Sequence, residues 1–102
     1  MFRVISLNAN GIRAAARKGF FDWMHKQSAD VVCIQETKAQ EHQLVDECFK
    51  PEGYHCFYED AVKKGYSGTA IYTRREATQV IRSFGVQEFD DEGRYLRCGS
   101  ET

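Results

Sequence analysis

The sequence has 102 residues, 42% of them hydrophobic and 28% charged, which is the composition of a globular chain and too short for more than one ordinary domain. Disorder, collagen and coiled coil are excluded. Fourteen Lys and Arg against fifteen Asp and Glu give a net charge of −1, so phosphate binding would depend on a local patch or a metal.

The first third of the chain predicts a βαβ unit. Residues 2–7 are apolar on both faces, the pattern of a central strand covered on both sides. Asn8-Ala9-Asn10-Gly11 ends this strand, and the spacing predicts a helix from Ile12 to Gln27, with Gly19 as the point where it could divide in two. The apolar run Val31–Ile34 predicts a second buried strand.

The helical spacing of three large apolar residues predicts the core. Phe20, Trp23 and Met24 recur at intervals of three and four and are expected to pack inside. A second helix is expected from about Gln40 to Phe49, where further apolar residues follow a helical pattern, and Pro51 would stop it.

The rest of the chain predicts an antiparallel meander. Strands are expected over Tyr54–Tyr58, Thr69–Thr73, Gln79–Phe84 and Arg94–Cys98. The acidic run Asp90-Asp91-Glu92 is interpreted as a solvated turn. Together the elements indicate an α/β fold with a mixed sheet of about six strands and too few helices to cover both of its faces. We therefore expect the chain to be one incomplete domain.

No segment predicts a membrane span or a secretion signal. The longest apolar runs are far below the roughly 18 residues of a span, and the N-terminal residues lack a signal-peptide pattern. A cytoplasmic protein without a membrane partner is expected. The four cysteines contain no C-x-x-C pair, and only His55-Cys56 places a histidine next to a cysteine, so neither a disulfide framework nor a Cys/His metal site is expected.

Two polar residues are expected to converge at one edge of the sheet. Because a right-handed βαβ crossover makes its strands parallel, the residues that follow them, Asn8 and Glu36, lie at the same edge, where open α/β sheets bind ligands. Glu36 is a suitable ligand for Mg²⁺, and Asn8 could orient a metal or a phosphate. The alternative is structural: Glu36 would cap the next helix and Asn8 would make the turn.

Four ordered motifs extend this interpretation. The segments Leu7–Arg13 and Asp30–Lys38, then Gly65-Tyr66-Ser67-Gly68 and Glu92-Gly93-Arg94, resemble the opening of the exonuclease III family of apurinic/apyrimidinic (AP) endonucleases, within the endonuclease/exonuclease/phosphatase superfamily. The resemblance covers nearly the whole chain. The family's later motifs, a tyrosine, Asp-x-Asn and Ser-Asp-His, have no counterpart, so residues 1–102 are expected to be the N-terminal portion of such a domain.

The resemblance implies a DNase I-like, four-layered α/β sandwich that cleaves phosphodiester bonds of DNA at abasic sites or 3′ ends. Glu36 and Asn8 would be catalytic, and Glu36, Asn8 and Asn10 would hold Mg²⁺, with Mn²⁺ as a substitute. The residues matching DNA-facing positions are Arg13, Lys18, Lys38 and Tyr66. No obligate protein partner is implied, and the 102 residues alone are expected to be inactive and prone to self-association.

Two basic groups have alternative interpretations. Arg13, Arg17 and Lys18 suit phosphate contacts, and their position after the Asn8 turn favours this over the alternative of a solvated helix face. Lys63, Lys64 and Tyr66 suit a DNA groove or an ordinary turn. Two rival functions also stay open: a superfamily phosphoesterase acting on a lipid or inositol phosphate, and a nucleic-acid-binding module without catalysis.

Overall fold

Most of the predicted strands form close to their expected positions. The structure is a computed structural model that describes residues 3–63 and 65–75, and the backbone of residues 79–81 and 97–99. The elements in chain order are β1 (Val4–Asn8), α1 (Ile12–Arg17), α2 (Phe20–Gln27), β2 (Val31–Gln35), two 3₁₀ turns (Glu41–Gln43 and Glu47–Phe49), β3 (His55–Glu59), β4 (Thr69–Thr73), β5 (Gln79–Ile81) and β6 (Arg97–Gly99).

The predicted βαβ unit and the antiparallel meander are both present in one mixed sheet. β1 and β2 are parallel and in register from Val4–Val31 to Asn8–Gln35. β4 pairs antiparallel with both β2 and β3, which gives the order β1-β2-β4-β3. β5 and β6 pair with each other as a separate antiparallel ribbon. The expected single sheet of about six strands is therefore wrong: the described strands divide into four and two.

The expectation that the first strand is central is also wrong for the described part of the chain. There β1 lies at the end of the strand order, and Val4 is 56% exposed. Apolar residues on both faces of a strand indicated burial from both sides, but an edge position leaves such residues partly open to solvent.

The helices cover one face of the sheet, as expected. Side chains at alternate strand positions, among them Val32, Ile34, Ala70, Tyr58 and Tyr72, are buried in one cluster. The helices contribute Ile12, Phe21 and Met24 to the same cluster, and the ring of Phe21 meets that of Tyr72 edge-on at 5.7 Å. One hydrophobic core therefore joins helix and sheet on this face.

The first predicted helix is divided at Gly19, as the sequence suggested. Gly19 has a φ of 91°, so α1 ends and α2 starts in a new direction around a left-handed residue. Met24 is fully buried and Phe20 packs against the core. The assignment of Trp23 to the core is wrong, because its side chain is 44% exposed.

The second predicted helix, Gln40–Phe49, is wrong. Two short 3₁₀ turns stand in its place, separated by extended backbone at Asp46 (φ −66°, ψ 147°). Leu44 and Phe49 are buried as expected, but Val45 is 75% exposed. A contact with the β3–β4 hairpin explains the difference. Gln40 Nε2 donates a hydrogen bond to Ala61 O at 2.7 Å, and this bond competes with a continuous helix.

Several predictions fall wholly or partly outside the described residues. These are the ends of the strands Gln79–Phe84 and Arg94–Cys98, the acidic turn at 90–92, the Glu92-Gly93-Arg94 motif and Lys64. Within the described part, Cys33, Cys48 and Cys56 are free thiols. Among the same residues, no helix is long and apolar enough to cross a membrane.

Candidate active site

Asn8 and Glu36 meet at the sheet edge where the sequence places them. Asn8 is the last residue of β1 and pairs in register with Gln35, the last residue of β2, so Glu36 begins the loop directly beside it. The side-chain amide of Asn8 donates to Glu36 Oε2, and the backbone N–H of Asn10 donates to Asn8 Oδ1 at 2.8 Å. The carboxylate is thus oriented across the two parallel strands, and it does not cap a helix.

Three loops meet around Glu36, and backbone hydrogen bonds join the loop that carries it to the other two. The loop after β1 donates from Gly11 N to Glu36 O and from Ile12 N to Thr37 O, both at 2.9 Å. From the other side, Thr37 N donates to Gly68 O at 3.2 Å, and Lys38 N donates to Ser67 O at 2.7 Å. Residues 36–38 are therefore fixed between the loop that carries Asn8 and Asn10 and the loop that carries Tyr66.

Backbone strain is concentrated in these loops. Of the five non-glycine residues with positive φ in the described part of the chain, four belong to them: Asn10 (46°), Glu36 (55°), Lys38 (52°) and Ser67 (50°). Each such residue costs on the order of 1 kcal/mol and persists only where the surroundings impose it. Clustering of strain at one sheet edge is typical of a functional site.

The ammonium group of Lys38 faces into the site. Its Nζ donates to Asn10 Oδ1 at 2.6 Å and lies 3.7 Å from Glu36 Oε1. Asn8 and Lys38 thus engage the two oxygens of the same carboxylate, one as a neutral donor and the other as a cation. Lys38 was assigned to DNA contact, and in this structure its partners are other residues of the site.

The chemistry of this donor set fits one magnesium ion. Among the described residues no group of three or more His, Cys, Asp or Glu side chains could hold a metal, and Glu36 is the carboxylate that follows β2 at this sheet edge. Mg²⁺ accepts one or two carboxylates and keeps several waters. The oxygens of Asn8 and Asn10 already accept hydrogen bonds, and each keeps a second lone pair.

A cleft of about 480 Å³ opens beside Asn8 and Asn10. Its wall includes Lys18, Phe20 and Trp23. The ring centres of Phe20 and Trp23 lie 6.0 Å apart. Lys18 therefore shares a cleft with the site residues. Trp23, which the sequence placed in the core, contributes its exposed face to this cleft.

The other residues expected to contact DNA lie around the site. Arg13 is exposed on α1 but lines a different cleft from Lys18, so the predicted basic cluster is divided between two surfaces. Tyr66 is 38% exposed in the β3–β4 loop, and Lys63 Nζ lies 5.4 Å from the centre of its ring. The loop therefore presents a cation and an aromatic ring together.

Sequence reasoning missed the residues that lock the loops together. Thr37 is 2% exposed, and a Cβ atom added to Gly68 would approach Thr37 Oγ1 to 2.3 Å. Gly68 also has a φ of 88°, which favours glycine. The Gly-Tyr-Ser-Gly segment carried a signal for Gly68, but nothing in the sequence indicated that its neighbour is Thr37.

The comparisons with known proteins agree with this geometry. The sequence model of the endonuclease/exonuclease/phosphatase family matches residues 5–102. The chain belongs to this family. An exodeoxyribonuclease of Bacillus subtilis (strain 168) is 48% identical over 95 residues, covering 92% of this chain and 36% of the relative. The DNA repair nuclease APEX1 of Danio rerio is 36% identical over 96 residues, covering 92% and 31%.

A solved structure confirms the expected fold. An AP endonuclease from Archaeoglobus fulgidus superposes with a TM-score of 0.82 at 28% identity, over 96% of this chain and 37% of that one. The DNase I-like α/β architecture and the resemblance to exonuclease III-type enzymes are therefore confirmed. The chain spans about a third of the length of the curated relatives that it matches.

Proposed function

We propose that this chain supplies the Glu36 side of the active site of a Mg²⁺-dependent DNA repair nuclease that hydrolyses phosphodiester bonds at abasic sites or 3′ ends. The observation that carries the proposal is the placement of the Glu36 carboxylate between Asn8 and Lys38 at the common end of β1 and β2. Membership of a family of nucleases and phosphatases supports the reaction class.

The residues of this chain position charge for that reaction. Glu36 would hold the metal together with water, with Asn8 or Asn10 as a further oxygen ligand. When bound, the metal would neutralise charge on the phosphate oxygens and the leaving group. Asn8 orients the carboxylate through its amide, and Lys38 adds a positive charge within 3.7 Å of it. The general base and the residue that aligns the attacking water are expected from the part of the relatives that this chain does not span.

DNA is the substrate class that the relatives favour. The Bacillus subtilis relative is an exodeoxyribonuclease and the Danio rerio relative is a DNA repair nuclease. A phosphoesterase for a lipid or inositol phosphate would share the carboxylate and the metal, so these two features do not separate it from a nuclease. Lys18 lines the cleft beside Asn8, Arg13 lines a second cleft, and Lys63 lies over the ring of Tyr66. Cations on several separate surfaces suit contact with a long polyanion.

The test is a substrate panel with the full-length protein. The substrates are a 5′-labelled duplex with a tetrahydrofuran abasic site, an intact duplex with a recessed 3′ end, and a phosphoinositide. Each is incubated with Mg²⁺, with Mn²⁺ and with EDTA. The proposal predicts cleavage of at least one DNA substrate in the presence of either metal, no cleavage in EDTA and no phosphate release from the lipid.

Three results would contradict the proposal in different ways. Hydrolysis of the phosphoinositide without cleavage of DNA would move the protein to the lipid-phosphate rival. Tight binding of the abasic duplex without turnover in either metal would leave a nucleic-acid-binding module. Cleavage that persists in EDTA would remove the metal from the account.

A further inference from the structure

A second cleft, of about 330 Å³, lies between α1 and the two 3₁₀ turns. It is separate from the cleft beside Asn8 and shares no lining residue with it. Arg13 and Arg17 line it from α1, and Gln43, Asp46 and Cys48 line it from the turns. The segment 40–49, which forms two turns and not the predicted helix, therefore makes one wall of this cleft.

The two arginines of this cleft project from the same side of α1. They are four residues apart, which places their side chains one helical turn from each other, and both are exposed. Within residues 3–63 and 65–75, no hydrogen bond or ion pair engages either guanidinium group. Both planar donor groups are therefore available to an external acceptor.

Gln43 adds a further donor with a defined orientation. Its Oε1 accepts a hydrogen bond from the backbone N–H of Gln40 at 2.9 Å, which identifies the oxygen end of the amide. The other end, Nε2, has no acceptor in the described part of the chain. Gln43 is half-buried, so its amide is held in place before any ligand arrives.

The remaining polar residues set the charge that the cleft accepts. Burial and the nearby Asp46 carboxylate raise the pKa of the Cys48 thiol, so this thiol is neutral at physiological pH. Two guanidinium groups and the one carboxylate of Asp46 leave a single net positive charge. A singly charged phosphodiester matches this balance better than a doubly charged terminal phosphate does.

We infer that Arg13, Arg17 and Gln43 form a subsite for one backbone phosphodiester of DNA beyond the scissile bond. The inference rests on the proposed function. It selects phosphate contact over a solvated helix face for Arg17, and it adds Gln43 to the residues expected to contact DNA. Because α1 begins two residues after Asn10, the subsite is connected to the active site by one short rigid element.

The experiment measures DNA binding by the full-length protein through fluorescence anisotropy, across a series of salt concentrations. The probe is a labelled duplex with a tetrahydrofuran abasic site, in EDTA so that cleavage cannot occur. The matched control is Lys26→Gln, since Lys26 is an exposed helical cation that lines neither cleft. Melting temperatures establish that every variant is folded.

Arg17→Gln is expected to weaken binding about tenfold and to lower the log–log salt slope by about one unit, because one phosphate contact is lost. Arg17→Lys should keep the slope, and Asp46→Asn should tighten binding because it removes the opposing charge. Lys26→Gln should match the parent. A parent slope retained by Arg17→Gln would overturn the subsite alone. A parent protein that does not bind DNA would overturn both the subsite and the proposed function.

Discussion

The Glu36 carboxylate is oriented by two side chains, one from the end of β1 and one from its own loop. Asn8 reaches one carboxylate oxygen from the end of β1, and Lys38 approaches the other from two residues further along the same loop. The Asn8–Glu36 pair was predictable from the sequence because parallel strands end at one edge. The inward position of Lys38 was not, since it depends on the positive φ values of Glu36 and Lys38 and on the location of Asn10.

The separation of Arg13 from Lys18 leads to a prediction about DNA binding. If each residue contacts its own phosphate, Arg13→Ala and Lys18→Ala should each lower the salt slope by about one unit, and the double variant by about two. Because the residues line different clefts, the two effects should add. The measurement is anisotropy of a labelled abasic duplex. A double variant no worse than either single variant would show that the two side chains share one phosphate, and unchanged slopes would return both to a solvated helix face.

At the scale of elements, periodicity predicted the sheet better than the segment after β2. β4 has the bounds that alternation indicated, Thr69–Thr73. The apolar pattern of 40–49 is helical in sequence, yet Phe49 is held from outside by Tyr58, whose hydroxyl donates to Phe49 O. That hydroxyl is in turn 2.7 Å from Tyr72 Oη. Contacts of this kind join residues far apart in sequence, so local spacing could not reveal them.

The contact between Gly68 and Thr37 predicts how strongly the three loops depend on each other. Gly68→Ala would place a methyl group against Thr37 Oγ1 and would impose a left-handed conformation on alanine. We expect a loss of about 2–4 kcal/mol in the free energy of unfolding, from strain and overpacking together. Urea unfolding measures it. Gly53→Ala is the matched control, since Gly53 has a φ of 86° but open space around it, and it should lose only the strain contribution. Equal losses in the free energy of unfolding of Gly68→Ala and Gly53→Ala would contradict a close contact between Gly68 and Thr37.

Buried hydroxyl and thiol groups of β3 and β4 predict the response of stability to alkaline pH. Burial raises the pKa of Cys56 from 9.0 to about 11, and burial also raises the pKa of Tyr58 and Tyr72. Because these groups ionise more easily in the unfolded chain, their contribution to stability is complete below about pH 9 and is lost as pH rises through 11. The urea midpoint should therefore be constant from pH 7 to 9 and fall by pH 10.5. A urea midpoint that is unchanged at pH 10.5 would show that ionisation of Cys56, Tyr58 and Tyr72 does not lower the stability.

At the scale of the whole molecule, apolar surface is unevenly distributed. The helix-covered face of the sheet is buried, whereas the opposite face carries Val31, Cys33, Phe57 and Ile71 half-buried. In the described part of the chain β1 lies at the end of the strand order, with Val4 56% exposed. Composition predicted a globular chain, but it could not predict that one sheet face would be covered less well than the other.

This distribution predicts self-association of the 102-residue chain. An exposed apolar strand at a sheet edge is a surface for pairing with another copy. Light scattering should give a mass above 11.7 kDa that rises with concentration. Val4→Lys should shift the distribution toward monomer, because a charge at the edge opposes pairing, whereas Lys26→Gln should not. A concentration-independent monomer would contradict the prediction.

The central claim, that Glu36 is the metal-binding carboxylate of a DNA nuclease, is tested most directly by Glu36→Gln in the full-length protein. The substitution keeps the size of the side chain and removes its charge. Cleavage of the abasic duplex should fall by on the order of 10² or more, with a weaker dependence on Mg²⁺ and an unchanged melting temperature. Glu47→Gln, at an exposed carboxylate of the second 3₁₀ turn, should keep parental activity. Equal activity of Glu36→Gln and Glu47→Gln across a magnesium titration would contradict the claim.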